Sequence, residues 1–268
     1  MILDGRTIAD DIYASLSARR EHIKRPITLG IIVSGANPVI ESFVRIKRRA
    51  AERLDIAMER VDLADSADTA SAIAEVKELA SRTDSVIVQL PLLADIDTNA
   101  TLAAIPLLKD VDAINPDIPE SERPVHAPVA LAVVEMLNRA SVEIAGKRAV
   151  VIGAGRLVGA PSAALLRSLG AEVSMFTLDE GNIEDLKDAD IIVCGAGNPG
   201  FVKPEHIKEG VAIIDAGASE LGGEIRGDAD KACAEKATVF TPVPGGVGPV
   251  AVALIFRNLL DLVEKAEE

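Results

Sequence analysis

The sequence has no tryptophan, one tyrosine and five phenylalanines, so aromatic residues make up 2% of its 268 positions. Stacked rings therefore cannot build the interior. That falls to Ala, Val, Ile and Leu in a chain that is 49% hydrophobic. Such aliphatic runs suit layered α/β proteins, whose parallel strands are buried on both faces. Cysteine is also scarce. Cys194 and Cys233 are too few for a disulfide framework, and Cys194, at the end of an aliphatic run, reads as a small buried residue rather than a nucleophile. Positive charge is short as well, with 28 basic against 42 acidic residues and a net charge of −14. A general nucleic-acid binder needs a basic footprint, so no nucleic-acid partner is expected. The acidic excess favours solubility. His22, His126 and His206 lack metal-ligand spacing, and no metal is expected. No apolar run reaches the roughly 18–20 residues that span a bilayer, and the first residues lack the apolar centre of a signal peptide. The expected location is the cytoplasm, with no membrane partner.

What is present is alternation. The length suits one large domain or two modest ones. Strand-like runs at 27–33, 58–63 and 85–90 precede helical stretches at 42–54, about 68–80 and about 98–104. This order predicts βαβ units and a parallel sheet. The polar, proline-bearing segment 115–128, NPDIPESERPVHAP, is the candidate linker. A helix at about 128–139 leads to further strand-like runs at 148–153, 171–177, 189–195, 211–217 and 237–242, and a helix at about 248–265 closes the chain. The expected domains are 1–120, completed by the C-terminal helix 248–268, and 125–247.

In AVVIGAGRLVGAP (149–161) an aliphatic strand runs into Gly153, Gly155 and Gly159 and then a helix. Glycine allows a tight turn and close approach to a pyrophosphate, and the helix start offers unpaired N–H groups. The alternative is a tight strand–helix turn that binds nothing. Asp179 or Glu180, after the next strand, lies where a Rossmann fold places the acid that bonds the ribose 2′-hydroxyl; an ordinary acidic turn is equally open.

Three polar residues stand out in the first half. Wound as a helix, SFVRIKRRAAERL (42–54) places Lys47 on one stripe with Ile40, Phe43, Ala50 and Leu54,. An inward lysine needs a partner or a lowered pKa, unless it snorkels past the apolar rim. Gln89 follows the run SVIV near a strand's carboxyl end, where ligands of open α/β sheets bind, although it could simply cap the strand. Asp112, in KDVDAINP, could be a turn-forming residue or a ligand group.

Taken together, these segments resemble the bifunctional methylenetetrahydrofolate dehydrogenase/cyclohydrolase family over nearly the whole chain. SFVRIKRRAAERLDI is similar to its Tyr-Val-x-x-Lys helix, VIVQLPLL to its Val-Gln-Leu-Pro-Leu-Pro strand end, and LLKDVDAINP to its Lys-Asp-Val-Asp-Gly segment. VVIGAGRLVGAP resembles its dinucleotide loop, and GNPGFVKPEHIKEGVAIIDAG and TPVPGGVGPVAVALIFRN match two more segments. The resemblance implies a two-domain α/β fold: an N-terminal folate-site domain, a Rossmann-type dinucleotide-binding domain and a substrate cleft between them, in a homodimer. The implied activity is oxidation of 5,10-methylenetetrahydrofolate to the methenyl cation with NAD(P), then hydrolysis to 10-formyltetrahydrofolate, with tetrahydrofolate as the one-carbon carrier. Lys47 would be the catalytic lysine, Gln89 its hydrogen-bonding neighbour and Asp112 the anchor of the pterin ring. Phe43, Leu90, Pro91, Pro244, Gly245, Gly246 and Pro249 would contact the substrate. Gly153, Ala154, Gly155, Arg156, Leu157, Val158, Gly159, Asp179 and Gly197 would contact the cofactor.

The departures are specific. Phe43 replaces the family tyrosine, so the ring can stack but the hydroxyl is gone. VHAP (125–128) replaces Pro-Cys-Thr-Pro, and His126 receives no role. Ala154 and Gly155 stand in place of Arg-Ser, and TLDE (177–180) replaces a basic motif. With those groups for a 2′-phosphate missing and an acid added, NAD is expected over NADP. Alternatives are a dehydrogenase without the hydrolytic step, the same chemistry on another reduced pterin, a Rossmann oxidoreductase of an unrelated small acid, and a non-enzymatic NAD sensor.

Overall fold

The computed structural model describes residues 1–35, 37–177 and 181–267. The chain divides into two compact units. The first comprises Ile12–His126 and Ile255–Glu268, the second Met1–Asp11 and Ala127–Leu254. A helix absent from the sequence expectation comes first, α1 (Gly5–His22). Its apolar residues Ile8, Ala9, Ile12, Tyr13 and Leu16 are buried and do recur at helical spacing, but charged and small polar residues crowd the positions between them.

In the first unit, β1 (Thr28–Ser34), α2 (Pro38–Arg53), β2 (Ala57–Leu63), α3 (Thr69–Arg82), β3 (Ser85–Val88) and α4 (Thr98–Ala103) follow in order. Among the described residues the strands form a parallel sheet in the order β2-β1-β3, as the alternation predicts. β3 stops at Val88, so Gln89 and Leu90 lie just past its carboxyl end.

Local chemistry starts each helix. The Asn37 side chain accepts from the Val39 N–H, and Pro38 occupies the first turn of α2,. Asp68 and Ser71 bond each other's backbone at the start of α3,. Gly30 lets α3 come close to β1: a Cβ there would lie 2.7 Å from Leu79 Cγ. Leu79 is fully buried in a core with Ile32, Val76, Val86, Val88 and Leu102.

The buried face of α2 differs from the expected stripe. Ile40, Val44, Ala50, Ala51 and Leu54 are buried, whereas Phe43 is 48% exposed. Paths through 40, 43, 47, 50 and through 40, 44, 47, 51 are both helical. Packing on the sheet selects Val44, and Phe43 moves to the rim.

The expected linker is tied down along much of its length. Asn115 is buried and donates to the Ile105 carbonyl at 2.8 Å. The Arg123 guanidinium donates to the carbonyls of Ala113, Ile118 and Asn115.

The second unit continues with α5 (Pro128–Arg139), β4 (Arg148–Ile152), α6 (Gly159–Ser168), β5 (Glu172–Phe176), β6 (Ile191–Cys194), β7 (Ala212–Asp215), β8 (Ser219–Leu221), β9 (Glu224–Arg226), β10 (Val239–Phe240) and α7 (Val247–Glu267). The units divide within α1 and α7. The main sheet is parallel, β10-β7-β6-β4-β5, and β8 pairs antiparallel with β9. Short 3₁₀ turns at Ile183–Asp188, Pro204–His206 and Lys231–Glu235 stand where longer crossover helices are usual. Because β5 and β6 flank β4 on opposite sides, the order reverses between β4 and β6. That crevice is where open α/β sheets bind ligands. Cys194 is fully buried, and burial raises its pKa well above the thiol range, which removes it as a nucleophile. Among the described residues no helix is long and apolar enough to cross a membrane.

Replacing Leu79 by Ala should cost roughly 2–5 kcal/mol, the range for a fully buried leucine whose cavity cannot collapse. Urea unfolding reads this directly, and a loss below about 1 kcal/mol would contradict the packing described.

Candidate active site

Lys47 and Gln89 meet at the carboxyl end of β3. The Lys47 ammonium donates to Gln89 Oε1 at 2.6 Å. Gln89 is 8% exposed, and its own Nε2 donates to the Leu90 carbonyl at 2.9 Å. The Gln89 N–H donates to Ile32 of β1 at 2.9 Å, so both ends of this residue are held. Burial lowers the pKa of Lys47, and the nearby Asp112 charge partly opposes the shift. Burial raises the pKa of Asp112, and Lys47 opposes that. The two groups thus sense each other across a desolvated space where each charge is disfavoured. The structure brings together Lys47, Gln89 and Asp112, three residues chosen from separate segments. Leu90 and Pro91 follow directly, the first partly buried and the second exposed. Phe43 stands one turn before Lys47 with its ring accessible.

The turn that carries Asp112 is organised by a residue the sequence reading passed over. Asp110 is 4% exposed. Its Oδ2 accepts the N–H groups of Ile114 and Asn115, both at 2.8 Å, while Oδ1 is buried with no hydrogen-bond partner. Burial first, and then the Asp112 charge, push its pKa up to about 6. Asn258 of α7 donates to the Val111 carbonyl at 2.8 Å. Ala113 is held at φ 51°, a left-handed conformation that costs a residue with a Cβ about 1–2 kcal/mol. The sequence signal for Asp110 was the first acid of KDVD, but nothing in the spacing says which acid turns inward.

In the second unit the glycine-rich loop leaves β4. Gly153 has φ 94°, and a Cβ on it would lie 2.6 Å from the Gly195 carbonyl oxygen. A Cβ on Gly159 would lie 1.9 Å from the Gly153 oxygen. These two glycines are required by packing. Gly155 is different: nothing lies within 4 Å of its Cβ position. Residues 154–157 are exposed, and no side chain caps the start of α6. An open backbone with free approach at a helix N-terminus fits a pyrophosphate. A Cβ on Gly195 would meet Val158 at 2.3 Å, so the loop after β6, with Gly197, packs against the loop after β4. The sequence-chosen residues Gly153–Gly159 and Gly197 therefore share one crevice. Asp179 lies outside the described residues.

Pro244, Gly245, Gly246 and Pro249 belong to the second unit, whereas Lys47, Gln89 and Asp112 belong to the first. The Gly245 carbonyl accepts the Gly5 N–H at 2.9 Å, and the Gly246 N–H donates to Pro242 at 2.8 Å. Two further carboxylates, Asp215 and Asp228, are 1% and 0% exposed and were not singled out from sequence. Burial first, and then the Asp228 charge, push the Asp215 pKa up to about 7. Among the described residues no group of three His, Cys, Asp or Glu could hold a metal ion.

The fold and these two loop systems define a two-domain α/β enzyme with a desolvated lysine in one domain and a dinucleotide crevice in the other. Sequence models match accordingly: the tetrahydrofolate dehydrogenase/cyclohydrolase catalytic domain over residues 3–112, and that family's NAD(P)-binding domain over 127–267. The chain is 35% identical over 276 residues to the bifunctional protein FolD of Halothermothrix orenii, covering 96% of this chain and 95% of that one. The bifunctional protein FolD of Staphylococcus aureus is 36% identical over 277 residues, covering 98% and 96%. The crystal structure of the Campylobacter jejuni bifunctional enzyme superposes with a TM-score of 0.94 at 29% identity, covering 99% of both chains. The Trypanosoma brucei enzyme, solved with NADP and an inhibitor, gives 0.92 at 32% identity, covering 100% and 98%. The chain belongs to the tetrahydrofolate dehydrogenase/cyclohydrolase family: it oxidises 5,10-methylenetetrahydrofolate with NAD(P) and hydrolyses the methenyl product to 10-formyltetrahydrofolate.

The Asp110 pKa sits above its ordinary 3.8, so the folded state holds a proton that the unfolded chain releases. The stability this lends is present below about pH 4 and is lost as pH rises to about 6. Asp110→Asn stays neutral throughout. Its stability relative to wild type should therefore climb by on the order of 2–3 kcal/mol between pH 4 and 7, at 1.36 kcal/mol per pKa unit. Urea titrations at several pH values test this, and a pH-independent difference would refute it.

Proposed function

We propose that Lys47 is the proton-transfer group of the hydrolytic step, with Gln89 orienting it and Asp112 anchoring the pterin. The observation that carries this reading is the 2.6 Å bond from Lys47 to Gln89 Oε1 in a setting that lowers the lysine pKa. A neutral amine donating one N–H to Gln89 keeps its lone pair free to take a proton from the water that adds to the methenyl carbon. The same group, once protonated, returns it as the ring opens. The Asp112 carboxylate suits the adjacent N–H donors of a pterin edge. Phe43 offers an exposed ring face for stacking, and without a hydroxyl it cannot relay a proton, so the lysine acts alone. Leu90 and Pro91 complete this wall. Pro244, Gly245, Gly246 and Pro249 are carried over as substrate contacts on the resemblance alone.

The dinucleotide, when bound, supplies the hydride acceptor. In this reading the backbone of Gly153, Ala154, Gly155, Arg156, Leu157, Val158 and Gly159 holds its phosphates, and Gly197 adjoins them. Residues 154 and 155 carry no cationic side chain, and in sequence TLDE (177–180) puts acids in place of the family's basic motif. A 2′-phosphate would meet repulsion there, so NAD is the preferred cofactor. We assign the unit of Ile12–His126 and Ile255–Glu268 to the folate site and that of Met1–Asp11 and Ala127–Leu254 to the dinucleotide, so the expected bounds 1–120 with 248–268 and 125–247 shift at both chain ends. A cytoplasmic homodimer is proposed from the family resemblance.

Lys47→Met should abolish methenyltetrahydrofolate hydrolysis, a loss of at least 100-fold by the scale of general acid–base catalysis, while part of the dehydrogenase rate persists. Following methenyl absorbance and reduced cofactor separately resolves the two steps, and undiminished hydrolysis would remove Lys47 from its role. For the cofactor, kcat/KM should be higher with NAD than with NADP. A tenfold preference for NADP would overturn that assignment.

A further inference from the structure

The loop after β6 is held from beneath by a carboxylate. Asp228, fully buried, accepts three consecutive backbone N–H groups: Ala196 at 2.7 Å and Gly197 at 3.1 Å on Oδ2, and Asn198 at 2.7 Å on Oδ1. Three N–H groups converging on one anion form the kind of concavity that elsewhere binds phosphate. Here the protein fills it with its own side chain, so the N–H face of 196–198 points inward. Gly195, at the start of the same loop, lies beside Gly153 and Val158, and a Cβ on it would meet Val158 at 2.3 Å.

The anchoring is extensive. The Asp228 backbone carbonyl accepts from Val202 at 2.9 Å, and the Gly227 carbonyl from Gly200 at 3.0 Å. A Cβ on Gly217 would lie 2.3 Å from Asp228 Cγ, and one on Gly227 would lie 2.2 Å from Asp215 Oδ2. Asp215 accepts from Gly217 at 3.0 Å and Ala229 at 2.8 Å. From above, Ser219 Oγ donates to the Gly197 carbonyl at 2.9 Å. The groups around the two acids are backbone N–H groups, the Cys194 thiol and Thr241, whose Oγ1 accepts the Asp215 N–H at 2.7 Å. With the Asp215 pKa near 7, the pair avoids two full charges at neutral pH.

We propose that Asp228 is a positioning residue for the dinucleotide: by fixing the backbone of 196–198 it sets the wall of the crevice between β4 and β6 against which the cofactor lies. The proposal rests on the cofactor site assigned above. Asp228 does not touch the cofactor. It acts through Ala196, Gly197 and Asn198, and an uncharged amide in its place would turn a donor toward at least one of their N–H groups.

The test measures NAD and NADH binding by fluorescence titration, KM for NAD, and methenyltetrahydrofolate hydrolysis, which consumes no dinucleotide and whose proposed proton-transfer residues, Lys47 and Gln89, lie in the other unit. Asp228→Asn should weaken dinucleotide binding and raise KM for NAD at least tenfold, while hydrolysis persists. Equal loss of both activities would show that Asp228 merely holds the fold, and unchanged binding would show that the loop needs no such anchor; either overturns the proposal. Gly155→Val, which blocks the open approach to the phosphate loop, separates the two readings. If it weakens binding and Asp228→Asn does not, the positioning role alone fails; if neither has an effect, the cofactor site itself is misassigned. Should Asp228→Asn not fold, Ser219→Ala decides, since it loosens the same loop at the surface. A two- to fivefold rise in KM for NAD supports the proposal, and no change rejects it.

Discussion

In this protein, polar turns that close the carboxyl ends of aliphatic strands must find hydrogen-bond partners inside the molecule. β6 and β7 are buried on both faces, so the turns that follow them, like the buried turn at 110–115, cannot count on water for every backbone N–H. Carboxylates meet the demand: Asp110 takes two N–H groups, Asp215 two and Asp228 three. Leaving such donors unmet costs about 1–3 kcal/mol each, more than most surface ion pairs contribute. The buried acids therefore decide the shape of the turns, and the turns carry the chemistry. Buried acids also resist ionisation, which is why Asp110 and Asp215 titrate near neutrality.

Lys47 is subject to the same constraint with the opposite sign. Its ammonium is desolvated between a neutral acceptor and an acid that is itself partly desolvated. Burial disfavours the charged form of each, and each charge partly offsets that for the other,. A surface lysine bridged to an exposed carboxylate would simply hold its proton. The 2.6 Å bond to Gln89 supplies orientation without supplying a countercharge.

Much of the architecture was legible in the chain. The aliphatic runs and their spacing predicted parallel α/β units, and most strands lie within two residues of the expected bounds. The exceptions have physical causes. β8 and β9 were missed because a hairpin of two three-residue strands, SEL and EIR, carries no aliphatic run. α1 was missed because polar residues dilute its stripe. Lys47, Gln89 and Asp112 could be named because whole segments resembled a known family. Asp110, Asp215 and Asp228 could not, since an aspartate that caps a buried turn looks in sequence like an aspartate that faces water.

Composition by itself argued against an aromatic core and a disulfide framework, and periodicity determined the class of fold. It could not determine which face of α2 turns inward. Two helical stripes pass through Ile40 and Lys47, and only packing against the sheet buried Val44 and left Phe43 at the rim. Nor could it set the Lys47 pKa or place its amino group against Gln89, forty-two residues away. Those depend on how close separate segments come and how much water is excluded between them, which only the tertiary structure decides.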